Sequence, residues 1–328
     1  MSWRAIWAAV RVLRSGQLAE GPEVKAFEEE FAAYHALPRC LAVNSGTSAL
    51  ELAAHLLDLK PDDEVIVPVF SCAATVVPFA RRCKVVMADI TANGSLMANL
   101  DSRELPKLLT PKTRAVVFVS FGGDTTGLRQ AKEFCDANGL KLVHDGAQAI
   151  GSELLGLADY TAVSLQAIKT VTSVDGGFIV CADPADHERA KKLRWFGLER
   201  GVPLEGQRIA EAGYKYHMND LTAAIGRANL RYLPQLAKHR RKLARILGVC
   251  STRWLAGHWS NRRAELTEEA VRNGIEIGQH HYRLDRHPAF GKQGQFPFMD
   301  RQEDTYYFVP YGHHVSVRQA KRIAKLLK

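Results

Sequence analysis

Two ionisable residues and one hydroxyl-rich turn hold the reactive chemistry in this chain. Lys169 lies in the run SLQAIKTVTSVDGG, residues 164–177, between two short apolar segments at 160–163 and 176–181. Both flanks are rich in β-branched or aromatic residues and predict buried strands. The lysine is then at a strand end, in a loop pinned by Ser164 on one side and Asp175-Gly176-Gly177 on the other. Position alone leaves two uses open: a lysine that snorkels to the surface, or an amine kept for its reactivity. Asp145 follows a second apolar segment, 140–144. The turn Ser45-Gly46-Thr47-Ser48 joins a predicted strand to a predicted helix. Its backbone N–H groups and the helix N-terminus point at one anion, with the hydroxyls of Ser45, Thr47 and Ser48 as further donors. The same residue types also serve as a plain N-cap.

An amine, an acid and an anion cradle are the three requirements of pyridoxal 5'-phosphate. Its aldehyde needs an amine to form a Schiff base, its pyridine nitrogen a carboxylate to stay protonated, and its phosphate N–H and hydroxyl donors. A lysine displaced by an amino substrate becomes the base that moves a proton between carbons.

The elements that must position these groups follow a regular alternation. Strands are predicted at 40–44, 65–69, 84–89, 113–120 and 140–144, with helices at 49–59, 72–81, 104–109 and 128–138 between or after them. That spacing predicts an α/β layer with a mostly parallel sheet, in which function gathers at the carboxyl ends of strands. An amphipathic helix is expected at 24–35, another helix at 186–195, and a long one over 221–247, bent near Pro234. Residues 254–328 predict a small α+β segment with a helix at 267–273, a strand at 306–309 and a basic helix from Val317. The expected division is a large cofactor-binding domain over 1–230 and a small C-terminal domain over 231–328.

Composition narrows the partners. The net charge of +9 over 328 residues favours an anionic partner. The bases are spread out apart from 239–242 and 320–328, both in helical patterns, so no nucleic acid is expected. No apolar run approaches the roughly 20 residues of a bilayer span, so no membrane is expected. Six cysteines without CxxC pairing predict reduced thiols in a cytoplasmic protein and no metal site. Residues 1–15 hold three arginines and no acid, as a transit peptide would, but Ile6, Val10 and Leu13 keep helical spacing and predict a short helix ending at Gly16.

Longer strings identify a resemblance. In chain order they are GPEVKAFEEEFAAY, VNSGTSALELA, DDEVIVPVFSCAAT, HDGAQAIGS, SLQAIKTVTSVDGG, LRWFGLERG and GYKYHMNDLTAAIG. Over residues 15–230 the chain resembles the nucleotide-sugar aminotransferases of the DegT/DnrJ/StrS type, which are fold-type-I pyridoxal phosphate enzymes. The match of IEIGQHHYRLDRHPAF and YFVPYGHHVS is looser.

The resemblance implies roles. Lys169 falls on the Schiff-base lysine, Asp145 on the acid of the pyridine nitrogen, and Gln148 on the residue near the ring's phenolic oxygen. Ser164 falls on a phosphate-binding serine, and Gly46, Thr47 and Ser48 on the phosphate turn. His217 falls where the family reaches across from a second subunit towards the phosphate, which implies a homodimer with shared sites. The implied reaction takes an amino group from glutamate (or glutamine) to a keto sugar linked to a nucleoside diphosphate. Alternatives on the same fold are an enzyme acting on another ketone, a dehydratase, or a cofactor-binding regulator. Relatives that dehydrate sugars carry histidine at the lysine position, and this chain keeps lysine. Three departures stand out. Cys72 replaces an aromatic that stacks on the cofactor ring, Ser120 replaces a common histidine, and the connection over 247–254 is short, trimming the small domain.

Overall fold

Strands covered on both faces are rich in apolar residues, and those of the central layer are mostly valine, isoleucine, leucine, phenylalanine and alanine, with charged residues near the strand ends. A computed structural model describes residues 2–91, 99–203, 205–248, 250–291 and 293–327. The chain opens with helices α1 (Trp3–Ser15) and α2 (Pro22–Tyr34), then β1 (Leu41–Val43), α3 (Gly46–Leu56), β2 (Glu64–Pro68), α4 (Ala73–Ala80) and β3 (Lys84–Ala88). The antiparallel pair β4 (Ile90–Thr91) and β5 (Asn99–Leu100) and the short helix α5 (Leu105–Leu108) come next. After them run β6 (Thr113–Val119), α6 (Leu128–Ala137), β7 (Lys141–Asp145), β8 (Tyr160–Ser164), β9 (Gly177–Cys181) and α7 (Pro184–Leu193).

Seven of these strands form one sheet in the order β1-β9-β8-β7-β6-β2-β3. Strands β3, β2, β6, β7 and β8 run parallel to one another, and β9 runs against both β8 and β1. The reversal of β9 matters for function. Because β8 and β9 are antiparallel neighbours, the segment joining them starts at the carboxyl end of β8, and Lys169 lies in it. Helices cover both faces. Leu50, Ala53 and Phe79 pack on one side with Val65, Val67, Val117 and Val143, while Phe118, Leu128, Ala131 and Leu142 pack on the other.

Several expected boundaries move. The helix expected over 49–59 begins at Gly46, with Ser45 as its cap. The long helix expected over 221–247 is two helices, α8 (Asp220–Leu230) and α9 (Leu233–Leu247). Pro234 sits in the first turn of α9, where its missing N–H has no acceptor to lose, so it starts a helix rather than bending one. Beyond α9 come β10 (Cys250–Ser251), β11 (Ala256–Trp259), α10 (Arg263–Arg272), α11 (Pro297–Gln302), β12 (Tyr306–Phe308) and α12 (Val317–Leu326). Strands β10, β11 and β12 make a small antiparallel sheet. Leu243, Leu247, Ala256, Leu266, Tyr307 and Ile323 share a separate core there.

The segment between α10 and β12 returns to the large sheet. Leu284 N donates to Val69 O at 2.7 Å and Phe298 N to Asp89 Oδ2 at 2.8 Å. This return places two histidines, His280 and His281, beside the carboxyl ends of the parallel strands. Among the described residues, no helix is long and apolar enough to cross a membrane.

Candidate active site

Lys169 is half-buried in the turn that follows β8. Its Nζ lies 4.1 Å from the centre of the Trp254 ring, which comes from the tail of the chain. Trp254 is held there from both ends: its Nε1 donates to Ile168 O at 3.1 Å, and its backbone N to Gly122 O at 2.8 Å. Burial pulls the Lys169 amine below the usual lysine range, while the charges of Asp145 and Cys72 act the other way. The aromatic face also favours the ammonium form. The amine therefore has a tendency to shed its proton and a nearby surface that welcomes it back.

Asp145 is the last residue of β7 and only 5% exposed. Burial raises its carboxyl above the ordinary range. The Thr75 hydroxyl, the Ala147 N–H and the charge of Lys169 all pull it back. Thr75 Oγ1 donates to Oδ2 at 2.5 Å and Ala147 N to Oδ1 at 3.1 Å. Thr75 is fully buried in α4, 70 positions away in the chain. Behind Asp145, Ser120 Oγ and His144 Nε2 are 2.8 Å apart, and burial takes the His144 imidazole down to about 3.

The anion turn is built by close approach of α3 to β8. A Cβ placed on Gly46 would stand 2.8 Å from Ser164 Cβ and 3.2 Å from Ser164 Cα, so only glycine lets the helix come this near. Ser45 caps α3, its Oγ accepting from Ser48 N at 3.0 Å. Helix α3 starts at Gly46, so its first N–H groups have no acceptor within the helix. Ser45, Gly46, Thr47, Asp145, Gln148, Ser164 and Lys169 line one cavity of about 370 Å³, with Cys72 at its exposed edge.

Two of the expected site residues lie elsewhere. Ser48 is expected to offer its hydroxyl to an anion, but that hydroxyl donates to Asn44 Oδ1 at 2.6 Å and lies 2.9 Å from Ser45 Oγ. As the third residue of the helix it points back at the cap, and the capping role prevails. His217 does not line this cavity. It pairs with Val43 as an isolated β-bridge and sets its ring 4.2 Å from Trp195, edge to face. Among the described residues its buried Nδ1 has no hydrogen-bond partner, and burial lowers the imidazole to about 4. Gln148 lines the cavity but is fully engaged on one side, its Oε1 accepting from Gly122 N at 2.5 Å.

Four residues of the site escape a local reading of the sequence. Thr75, inside an apolar helix, carries no polar periodicity, although it closes the string VFSCAAT. Trp254, His280 and His281 come from the tail, where the only signal is the HH doublet in IEIGQHHYRL. His280 and His281 line the cavity, with burial taking His281 down to about 3 and His280 below its ordinary value. Both imidazoles are therefore neutral hydrogen-bonding groups near pH 7.

Comparison with known proteins gives the family. Residues 4–249 match the family model described as DegT/DnrJ/EryC1/StrS aminotransferase. The dTDP-4-dehydro-2,3,6-trideoxy-D-glucose 4-aminotransferase of Saccharopolyspora spinosa is 32% identical over 254 residues, a match covering 72% of this chain and 65% of that protein. The erythromycin biosynthesis sensory transduction protein EryC1 of Saccharopolyspora erythraea is 31% identical, over 98% of this chain and 93% of its own length. In three dimensions, the aminotransferase TlmJ from Streptoalloteichus hindustanus aligns with a TM-score of 0.93 at 25% identity, covering 100% of this chain and 95% of that one. Matching strings, sheet order and site geometry converge, and the chain belongs to the DegT/DnrJ/EryC1/StrS aminotransferase family.

Proposed function

We propose that this protein is a pyridoxal phosphate-dependent aminotransferase moving an amino group from glutamate (or glutamine) to a keto sugar carried on a nucleoside diphosphate. The observation that carries this reading is one cavity lined by Lys169, Asp145 and the N-terminus of α3. The residues fit the cofactor. The space a Cβ would fill at Gly46 is closed by Ser164, which leaves backbone N–H groups rather than a side chain facing an anion. Lys169 would hold the aldehyde carbon, Asp145 the ring nitrogen, and Gly46, Thr47 and Ser164 the phosphate. When bound, the cofactor supplies an electron-withdrawing ring that stabilises negative charge on the adjacent carbon.

The chain's own groups do the rest. Burial raises the Asp145 carboxyl, while Thr75, Ala147 and the charge of Lys169 draw it back towards the carboxylate form, the form that would pair with a protonated ring nitrogen set against it. Lys169 takes a proton at Nζ as a neutral amine, and the Trp254 face stabilises the ammonium until that proton is returned. The C-terminal part of the chain contributes His280 and His281, which line the cavity, and Trp254, which packs against His280 and against Lys169. Neutral His280 and His281 suit an acceptor rich in hydroxyls, since they can donate and accept without adding charge. The net charge of +9 suits its diphosphate.

The test is direct. Protein saturated with pyridoxal phosphate should be yellow, and Lys169→Ala should lose both the visible band and turnover. Amine transfer from labelled glutamate to a panel of nucleoside diphosphate keto sugars and keto cyclitols then identifies the acceptor class. A wild type that binds no pyridoxal phosphate overturns the reading, and a bound cofactor that answers no amino donor favours a regulatory role.

A further inference from the structure

Helix α9 carries Lys238, Arg240, Arg241, Lys242 and Arg245 and no acid. Among the described residues, none of these five pairs with a carboxylate. Arg240 is the informative one, because it is only 8% exposed. Its Nη1 donates to two neutral oxygens, the Thr170 hydroxyl at 2.5 Å and the Arg253 carbonyl. Its Cζ lies 5.7 Å from the centre of the Tyr311 ring. Burial pulls this guanidinium below its ordinary range. A buried charge without a counter-ion is costly, and an arginine kept there calls for an anion.

The surroundings provide room for one. Arg240, Arg241, Arg253, Thr170 and Tyr311 line a cavity of about 570 Å³, and no carboxylate among the described residues lines it. It opens on the other side of the Lys169 loop: Ile168 and Lys169 face the first cavity and Thr170 faces this one. Arg253 is fixed at its mouth by Nη1 donating to Gly123 O at 3.2 Å. Planar guanidinium forks match the paired oxygens of phosphate better than a point charge does. An enclosed arginine also suits a small anion better than a polymer backbone, which needs an extended basic surface.

We propose that this second cavity is a binding site for a phosphate-class oxyanion, held by Arg240 from within and by Arg241 and Arg253 at the mouth. The shared chemistry covers free phosphate and the diphosphate group of a nucleotide. Because Arg240 also holds Thr170, the bound anion braces the loop that carries Lys169. The site stands independently of the acceptor and donor proposed above.

The test is a calorimetric titration of the protein saturated with pyridoxal phosphate, using inorganic phosphate and inorganic pyrophosphate at constant ionic strength, with chloride as control. One saturable site per chain is expected. Arg241→Gln combined with Arg253→Gln, both at exposed positions, should weaken it about tenfold or more. Arg240→Gln should abolish it, with circular dichroism reporting whether that variant folds. Tighter binding of pyrophosphate assigns the site to a nucleotide diphosphate, and equal or tighter binding of phosphate to the free anion; either result supports the site. Absence of saturable binding, or binding unchanged in the double variant, overturns it. If the protein takes up no pyridoxal phosphate, the same titration still decides, because the double variant leaves the α3 turn intact.

Discussion

Burial at a strand end disfavours the charged form of Asp145, and the Thr75 hydroxyl is the first of the groups that favour it. A hydrogen bond to a charged group is worth about 1.5–3 kcal/mol. Thr75→Val should therefore reduce cofactor affinity and turnover by about 10- to 100-fold, with Thr75→Ser restoring most of both in an absorbance titration. A variant indistinguishable from wild type would remove Thr75 from the site. His144, fully buried behind Asp145, sets a pH dependence. Its imidazole is held near 3 in the folded chain against an ordinary 6.5. Between those values the unfolded chain binds more protons, so stability is present above pH 6.5 and is lost as the pH falls. The slope from this one residue approaches about 1.4 kcal/mol per pH unit. Urea unfolding between pH 4.5 and 7 should show that slope reduced by about one proton in His144→Asn; an unchanged slope would mean the imidazole already titrates normally.

At the level of elements, the decisive contact is α3 against β8. Gly46→Ala drives a methyl group into Ser164, with backbone as well as side chain in the way. Overpacking of this kind costs about 1–3 kcal/mol. The expected outcome is a modest loss of stability with a larger loss of cofactor affinity, because displacement of α3 moves the anion-facing N–H groups directly. Cofactor affinity equal to wild type would show that the turn tolerates the methyl group. The element scale also shows where sequence periodicity misleads. Apolar helical spacing continues across Arg231 and Tyr232, but Pro234 starts a new helix, with α9 packed on α12 and α8 on α1 and α2.

For the whole molecule, His217 lies outside the cavity of its own chain, and among the described residues its Nδ1 has no hydrogen-bond partner. If a second copy takes it into its site, two damaged chains can repair each other. Mixing Lys169→Ala with His217→Ala chains after dissociation should recover activity at about a quarter of all sites, since half the dimers are mixed and each mixed dimer holds one intact site. Activity no higher than the sum of the two separate variants would place His217 outside any shared site. Sedimentation across a concentration series reports the dimer itself.

The positions of Lys169 and Asp145 at strand ends and of the 45–48 turn at a helix start were legible in the chain because each rests on local patterning: short apolar strands, small residues after them, and a hydroxyl-rich helix start. The alternation of strands and helices likewise settled the α/β layer, since neighbouring elements in such a sheet follow each other closely in sequence. Thr75, Trp254, His280 and His281 were not legible. Their roles depend on contacts between distant parts of the chain: Thr75 with Asp145 across 70 positions, and Trp254 with Ile168 across 86. Nothing in the periodicity around Trp254 says that its ring will lie over an amine. The same holds for Ser48 and Arg240. Residue type offered a hydroxyl for an anion and a cation for solvent, and only packing turned the first back onto its cap and buried the second. Local propensity can place a reactive group at the end of a strand; which groups surround it is decided by how the distant segments close over it.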